Sequence, residues 1–383
     1  MSGGRAAVRV VLDVTAVPAR PAGAGVYTLA LASGLAARAD VDLHLATRAG
    51  DARRWPLLAP GSTVHADAPD SRPARIVWEQ TRAPALARRV GADVWHGPHY
   101  TMPLRTTVPT VITVHDLTFI EHPEWHERSK VVYFRRMIHS GVRRADAIVC
   151  VSNFTAHRLA ALARPRGPVA VVRHGVDHHR FYSDGDRDAD LAALARHDIS
   201  PPYVGFVGTL EPRKDVPTLV VAFAALAADN PDLRLALVGG DGWGVDAIRH
   251  AIAASGVASR VVRTGYVEDA VIPALYRRAA AVAYPSFEEG FGFAALEAMA
   301  CGAPLVTTAG SALTEVAAGA SRTVPVHDAG ALEAALRELL APGSEVAAAL
   351  RRAGPRRARE YTWQGSVASH VEVYRQAAEA ART

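Results

Sequence analysis

The sequence predicts an α/β protein of two doubly wound parallel-sheet domains that face each other across a cleft. Three observations predict it. Short, continuous runs of Val, Leu and Ile recur without polar alternation, the pattern of strands buried on both faces. They alternate with helix-compatible stretches, which implies right-handed strand–helix–strand units. The series also restarts after a polar, proline-ended stretch midway along 383 residues, a length close to two domains.

In the first half the strand-like runs are Val8–Val14, Val41–Ala46, Ala92–His96, Thr110–Leu117, Ala147–Val151 and Val169–Arg173. Gly25–Ala39 and Arg128–Arg144 read as helices between them. In the second half the runs are Tyr203–Val207, Leu233–Val238, Val261–Thr264, Ala281–Tyr284, Pro304–Thr307 and Thr323–Val326. The break falls within His174–Pro202, giving a first domain over 1–180 and a second over 181–361. The aspartates of Asp184–Asp190 fail a calcium-loop pattern, because Ala189 and Ala195 stand where Gly and Glu are needed. A solvated linker and a capped helix are expected there. The segment Tyr361–Arg382 reads as a helix with Trp363, Val367, Val371 and Tyr374 on one side. As part of 362–383 it is expected to complete the first domain.

Hydrophobic residues make up 49% and charged residues 21%, which excludes disorder over most of the chain. No apolar run reaches about 18 residues, and Arg9 and Asp13 interrupt the first one, so neither a transmembrane helix nor a signal peptide is expected. Cys150 and Cys301 read as two buried thiols of a cytoplasmic protein. No Cys/His cluster points to zinc. Of the 43 basic residues only Lys130 and Lys214 are lysines, and 75 residues are alanine, a bias of GC-rich coding. Residues 1–176 carry a net charge of +10 and the remainder −5. A basic half suits phosphorylated substrates, an anionic membrane or nucleic acid. Nucleic acid is disfavoured, since no nucleic-acid module accompanies the charge.

Parallel sheets bind ligands beyond the carboxyl ends of their strands. After the first strand, Gly23 and Gly25 precede a helix, where backbone N–H groups favour an anion. After the fourth stands His115, and an ordinary core histidine is the competing reading. His96, His99, His122 and His126 are left unassigned. Ser152 reads as a helix N-cap, with Asn153 beside it. In the second half, Gly208 is followed by Glu211-Pro-Arg213-Lys214-Asp215, two adjacent cations before a helix, which suit a diphosphate. The densest signal is Glu288-Glu289-Gly290-Phe291-Gly292-Phe293 leading into a helix that carries Glu297. Carboxylates there accept hydrogen bonds from sugar hydroxyls.

These residues resemble family-4 glycosyltransferases, retaining enzymes of the GT-B fold that use nucleotide-sugar donors. The likeness spans nearly the whole chain and is densest from Tyr203 to Pro325. Its most specific motif is E-x7-E, matched by Glu289 and Glu297. Gly208–Lys214, Val151-Ser152-Asn153, His174-Gly175-Val176-Asp177 and Gly265-Tyr266-Val267 are similar too. The family usually has Asn where His174 and Asp215 stand. The resemblance implies that Arg213 and Lys214 hold the donor diphosphate. It implies that Glu297 binds the ribose and that Glu289 faces the donor sugar, with the amides of Gly290–Phe293 alongside. Tyr266 and Val267 would line the base pocket, Gly23 and Gly25 would close over phosphate, and His115 would contact the sugar near the reacting carbon.

No metal and no separate cofactor are expected. Similarity of Glu211–Lys214, His115–Phe119 and His122–Glu124 to mannosyltransferases makes GDP-mannose the first-choice donor, with UDP- and ADP-sugars as alternatives. The acceptor is a glycan, a lipid-linked saccharide or a small molecule. The basic, aromatic segment His126–His139 fits peripheral contact with an anionic membrane at the inner face of the cell, and equally a solvated amphipathic helix. A non-catalytic nucleotide-sugar-binding or scaffold protein on the same fold is the alternative of a different class.

Overall fold

The computed structural model describes residues 7–382. Residues 1–6 of the first expected domain and Thr383 of the terminal helix lie outside the described residues. The chain divides into two compact units. The first comprises the chain to Glu121, Arg128–Gly175 and the segment from Thr362; the second comprises His122–Glu127 and Val176–Tyr361. The division falls at Gly175/Val176 rather than after residue 180. The Val176 N–H donates to the Tyr361 carbonyl at 3.2 Å, and Arg180 and Phe181 both turn back onto Asp177, all within the second unit. His122–Glu127 also groups with the second unit, where Trp125 stacks on Phe287 with ring centroids 5.5 Å apart.

The first unit is built on β1 (Val8–Asp13), β2 (Val41–Arg48), β3 (Thr63–Ala68), β4 (Val94–Gly97), β5 (Thr110–Val114), β6 (Ala147–Cys150) and β7 (Val169–Val171). Its order is β3-β2-β1-β4-β5-β6-β7, and the strand pairs are parallel. The central strands are the apolar runs of the sequence, and β5 and β6 are buried at every position. The edge strand β3 escapes the sequence pattern because its residues are half-buried or exposed except Ala68. The order reverses between β1 and β4, the topological switch point of a doubly wound sheet.

The terminal helix Trp363–Ala380 packs on this unit through more than its expected apolar face. Tyr27 shares hydrogen bonds with Thr113 Oγ1 and with His370 Nε2, each at 2.8 Å. His96 joins Tyr374 at 2.7 Å and Thr113 at 2.8 Å. Both histidines are fully buried, and burial drives both toward the neutral form, His370 to about 4. A satisfied buried network of this kind fixes one seating of the helix.

The second unit is built on β8 (Tyr203–Val207), β9 (Arg234–Val238), β10 (Val261–Gly265), β11 (Ala281–Tyr284), β12 (Leu305–Thr308) and β13 (Arg322–Val324). Its order is β10-β9-β8-β11-β12-β13, again parallel, and it reverses between β8 and β11. The stretch expected to be a solvated linker is more than that. Asp186 caps the helix Arg187–Ala195 by accepting from the Ala189 N–H at 2.8 Å. Asp190 is buried and ion-paired to Arg277 and Arg278 at 2.6 and 2.8 Å. Cys150 and Cys301 are buried and free.

Candidate active site

The switch point of the second unit brings together the two richest motifs of the sequence. After β8 the chain passes Gly208, makes a short turn over Pro212–Lys214 and enters the helix Val216–Asp229 through Asp215 at φ 45°. After β11 it runs Pro285–Gly292 and enters the helix Phe293–Ala300. Gly292 sits at φ 97°, and a Cβ there would meet Leu313 Cδ2 at 2.5 Å, so this helix entry demands glycine.

One carboxylate ties the two segments. Glu289 Oε2 accepts from Arg213 Nη1 at 2.7 Å, and Oε1 accepts from Lys214 Nζ and from Ser286 Oγ, the latter at 2.9 Å. Arg213 also donates to the Glu288 carbonyl at 3.0 Å and to Glu211 Oε1 at 2.8 Å. Glu289 is 8% exposed. Burial by itself raises its pKa, but the charges of Arg213 and Lys214 outweigh that and hold it at about 2. Burial, then the neighbouring Arg213, lowers the Lys214 pKa, and Glu289 opposes them. The result is two cations and an ionised carboxylate gathered at the carboxyl end of the sheet.

Glu297 lies on the helix Phe293–Ala300, and burial pushes its pKa up to about 7 against the opposing charge of Arg180. Val267 is buried, whereas Tyr266 is 52% exposed. Asp215 is buried and bonds His327 Nδ1 at 3.0 Å through Oδ2. The sequence did not reveal this partner because the two residues are 112 positions apart.

The remaining expected site residues lie in the first unit. Gly23 has φ 49° and precedes the helix Ala24–Ala36. The Gly25 N–H is already engaged by the Ala22 carbonyl at 2.9 Å, and a Cβ there would meet Pro21 Cβ at 2.9 Å, so close packing accounts for this glycine. His115 follows β5 with Nε2 2.8 Å from the Pro98 carbonyl, and its ring packs edge-on to Tyr27 at 5.1 Å. Burial lowers its pKa, keeping the ring neutral. Ser152 is the N-cap expected of it, accepting from the Thr155 N–H at 3.1 Å. Among the described residues no group of three or more His, Cys, Asp or Glu side chains could hold a metal ion.

Comparison with known proteins identifies the class. Residues 21–180 match the model described as Glycosyltransferase Family 4, and residues 201–342 match Glycosyl transferases group 1. The chain is similar to a D-inositol 3-phosphate glycosyltransferase of Salinispora arenicola, at 32% identity over 93% of this chain and 87% of that protein. It is also similar to the O-antigen chain mannosyltransferase B of Escherichia coli, at 28% identity over 74% of each. Among solved structures it is similar to sucrose-phosphate synthase from Thermosynechococcus elongatus, with TM-score 0.75 and 22% identity over 96% of this chain and 98% of that one. A second is Anabaena HepE in complex with UDP-glucose, with TM-score 0.75 and 17% identity over 96% and 99%. The protein is thus a glycosyltransferase with the two Rossmann-like domains of the GT-B fold. It belongs to glycosyltransferase family 4. No described helix is long and apolar enough to cross a membrane.

Proposed function

We propose that this protein is a retaining hexosyltransferase that moves mannose from GDP-mannose to a glycan, lipid-linked or small-molecule acceptor. The observation that carries the donor site is the Arg213–Lys214–Glu289 cluster. The two cations suit a diphosphate, and the positive charge is already oriented where negative charge grows as the bond from the anomeric carbon to the phosphate oxygen breaks. An incoming diphosphate competes with Glu289 for Arg213 and Lys214, which turns the Glu289 carboxylate toward the sugar hydroxyls. Glu297 takes the ribose hydroxyls, Tyr266 and Val267 line the base, and the amides of Gly290–Phe293 face the donor. Gly208 permits the close turn beneath it. Gly23 is assigned to the phosphate and His115 to the sugar, as the family resemblance implies, while Gly25 is left to the packing of its own turn.

The acceptor oxygen forms the new bond to the anomeric carbon on the face the phosphate leaves, and its proton passes to the leaving phosphate oxygen. No protein nucleophile is assigned. Neutralisation of the diphosphate by Arg213 and Lys214 makes a metal unnecessary in this reading. Mannose is favoured by the similarity to a mannosyltransferase. UDP- and ADP-sugars are the alternative donors. The protein is read as cytoplasmic, with the basic helix Arg128–Val142, whose Val132 is exposed, resting on anionic membrane.

A thermal-shift series with GDP, UDP, ADP and their sugars tests the donor, since a ligand of the native state raises the unfolding midpoint. The largest shift is expected with GDP-mannose, and a larger one with another sugar nucleotide replaces mannose in the proposal. Nucleotide binding without turnover on any acceptor favours a non-catalytic binding protein. Co-sedimentation with anionic vesicles that fades at high salt supports the membrane contact, and none at low salt removes it.

A further inference from the structure

A buried pair of phenols stands behind Glu297 in the second unit. Tyr284 closes β11 and Tyr276 lies on the helix Ile272–Arg278, at 3% and 0% exposure. Their hydroxyl oxygens are 3.0 Å apart. Each ring packs near a phenylalanine: Phe206 lies 5.7 Å from Tyr284 and Phe181 6.4 Å from Tyr276, centroid to centroid. A phenylalanine would supply the same apolar area at either place, so packing accounts for the rings and not for the hydroxyls. A hydroxyl buried this deeply persists where it has a bond to make.

That bond leads to the donor site. Tyr276 hydrogen-bonds the Glu297 side chain. An ionised carboxylate only accepts, so Tyr276 donates to Glu297 and accepts in turn from Tyr284. The chain therefore runs one way, from Tyr284 to Tyr276 to Glu297, and each bond polarises the next. Groups from other segments also act on Glu297. Burial raises its pKa to about 7, the charge of Arg180 opposes this, that of Asp269 adds to it, and the Tyr276 bond opposes it. Arg180 Nη2 donates to the Asp269 carbonyl at 2.6 Å and lies 3.7 Å from Asp269 Oδ1, so these two charges arrive as a pair. Burial keeps both phenols protonated, and it keeps Cys301, at the end of Glu297's own helix, a neutral thiol.

We propose that Tyr276, braced by Tyr284, is a positioning residue for the donor, holding one side of the Glu297 carboxylate so that the other accepts from the ribose hydroxyls. This rests on the reading that Glu297 binds the ribose. Removal of the Tyr276 hydroxyl takes a hydrogen bond from the ionised form alone, so Glu297 then takes up a proton more readily. A protonated carboxyl is a poorer acceptor for two hydroxyls. The contribution of the ribose to binding is therefore present above the Glu297 pKa and lost as pH falls through it.

Calorimetric titration of the full chain with GDP, UDP and ADP, each against its 2′,3′-dideoxy form, tests this across the pH range about 5.5 to 8.5. The two forms carry the same diphosphate, so titration of the phosphates cancels in the ratio of their affinities. Wild type is expected to prefer at least one ribose form about tenfold or more at alkaline pH, with the preference fading around pH 7. Tyr276→Phe is expected to cut that preference about fivefold or more near neutrality, move its midpoint to higher pH and leave dideoxy binding unchanged. Tyr284→Phe is expected to act in the same direction by less. Asp269→Asn, a change at an exposed position, is expected to move the midpoint to lower pH. A Tyr276→Phe protein with the wild-type preference and midpoint overturns the proposal, and so does one that loses both nucleotide forms equally, as a packing role predicts. If Tyr276→Phe does not fold, Tyr284→Phe decides by the same two readings. The failures separate in the wild type. Nucleotide binding without preference for ribose removes Glu297 from the ribose and the positioning role with it. A preference that neither tyrosine variant disturbs removes the positioning role alone.

Discussion

The two switch points of this protein handle charge in opposite ways. In the second unit, Arg213 and Lys214 converge on Glu289 and the cluster is internally paired. In the first, Arg72, Arg75, Asp13 and Glu79 line one cavity, and among the described residues no salt bridge within 4.0 Å joins them, although the charge of Arg75 acts on both carboxyls. The same topology therefore yields one site closed by direct ion pairs and one whose charges face each other at longer range. A paired cluster keeps its geometry before a ligand arrives, which suits a group that must stabilise developing charge. An unpaired set leaves its hydrogen-bonding capacity to the ligand, which suits recognition.

The contrast breaks first at Lys214. Lys214→Ala is expected to lower kcat by at least about 100-fold with the fold intact by circular dichroism, and full activity would sink the donor-site assignment. Glu289→Gln is expected to cost less in rate but to destabilise the unit by about 3 kcal/mol, because two buried cations lose their counter-charge; chemical denaturation reads this.

The two buried glutamates should also give opposite pH signatures. Glu289, at about 2 in the folded protein against 4.5 free, contributes stability that is present above pH 4.5 and lost as pH falls through 2. Glu79, at about 8 against 4.5, takes up a proton on folding, so wild-type stability falls as pH rises from 4.5 to 8. Glu79→Gln is therefore expected to melt at least about 2 °C above wild type at pH 8, with the gap closing at pH 5. Equal melting of the two proteins at both pH values would show that Glu79 is not held in its neutral form. The smallest effect is expected from Ser286→Ala, which removes one hydrogen bond that orients Glu289. A loss of about 1 kcal/mol in kcat/KM, with donor KM moving less than kcat, distinguishes orientation of Glu289 from donor binding.

Local signals made most of this legible. Both sheets were readable because their central strands are buried on two faces and their sequences are continuously apolar. The edge strand Thr63–Ala68 was not, since an exposed edge needs no such run. The helix Arg72–Thr81 escaped as well, although Ser71 and Pro73 mark its start, and with it went the cavity's charges. The Arg213-Lys214 pair and the E-x7-E motif stood out because each lies within a short stretch of chain. His370 did not, because its partners Tyr27 and Ser366 are 343 and 4 residues away, and only one of those is local.

By itself the sequence determined the two parallel sheets and the chemical types gathered at the strand ends, consequences of periodicity and spacing along the chain, and its resemblance to known enzymes pointed to the family. Only the tertiary structure decided which charges meet. Glu289 lies 76 and 75 residues from the cations it pairs with. Asp13 and Glu79 are brought to the same cavity by the return of the chain through the helix Arg72–Thr81. Whether a buried charge ends up paired or open depends on distances of a few ångströms between remote segments. The folded sheet sets those distances, and no local pattern records them.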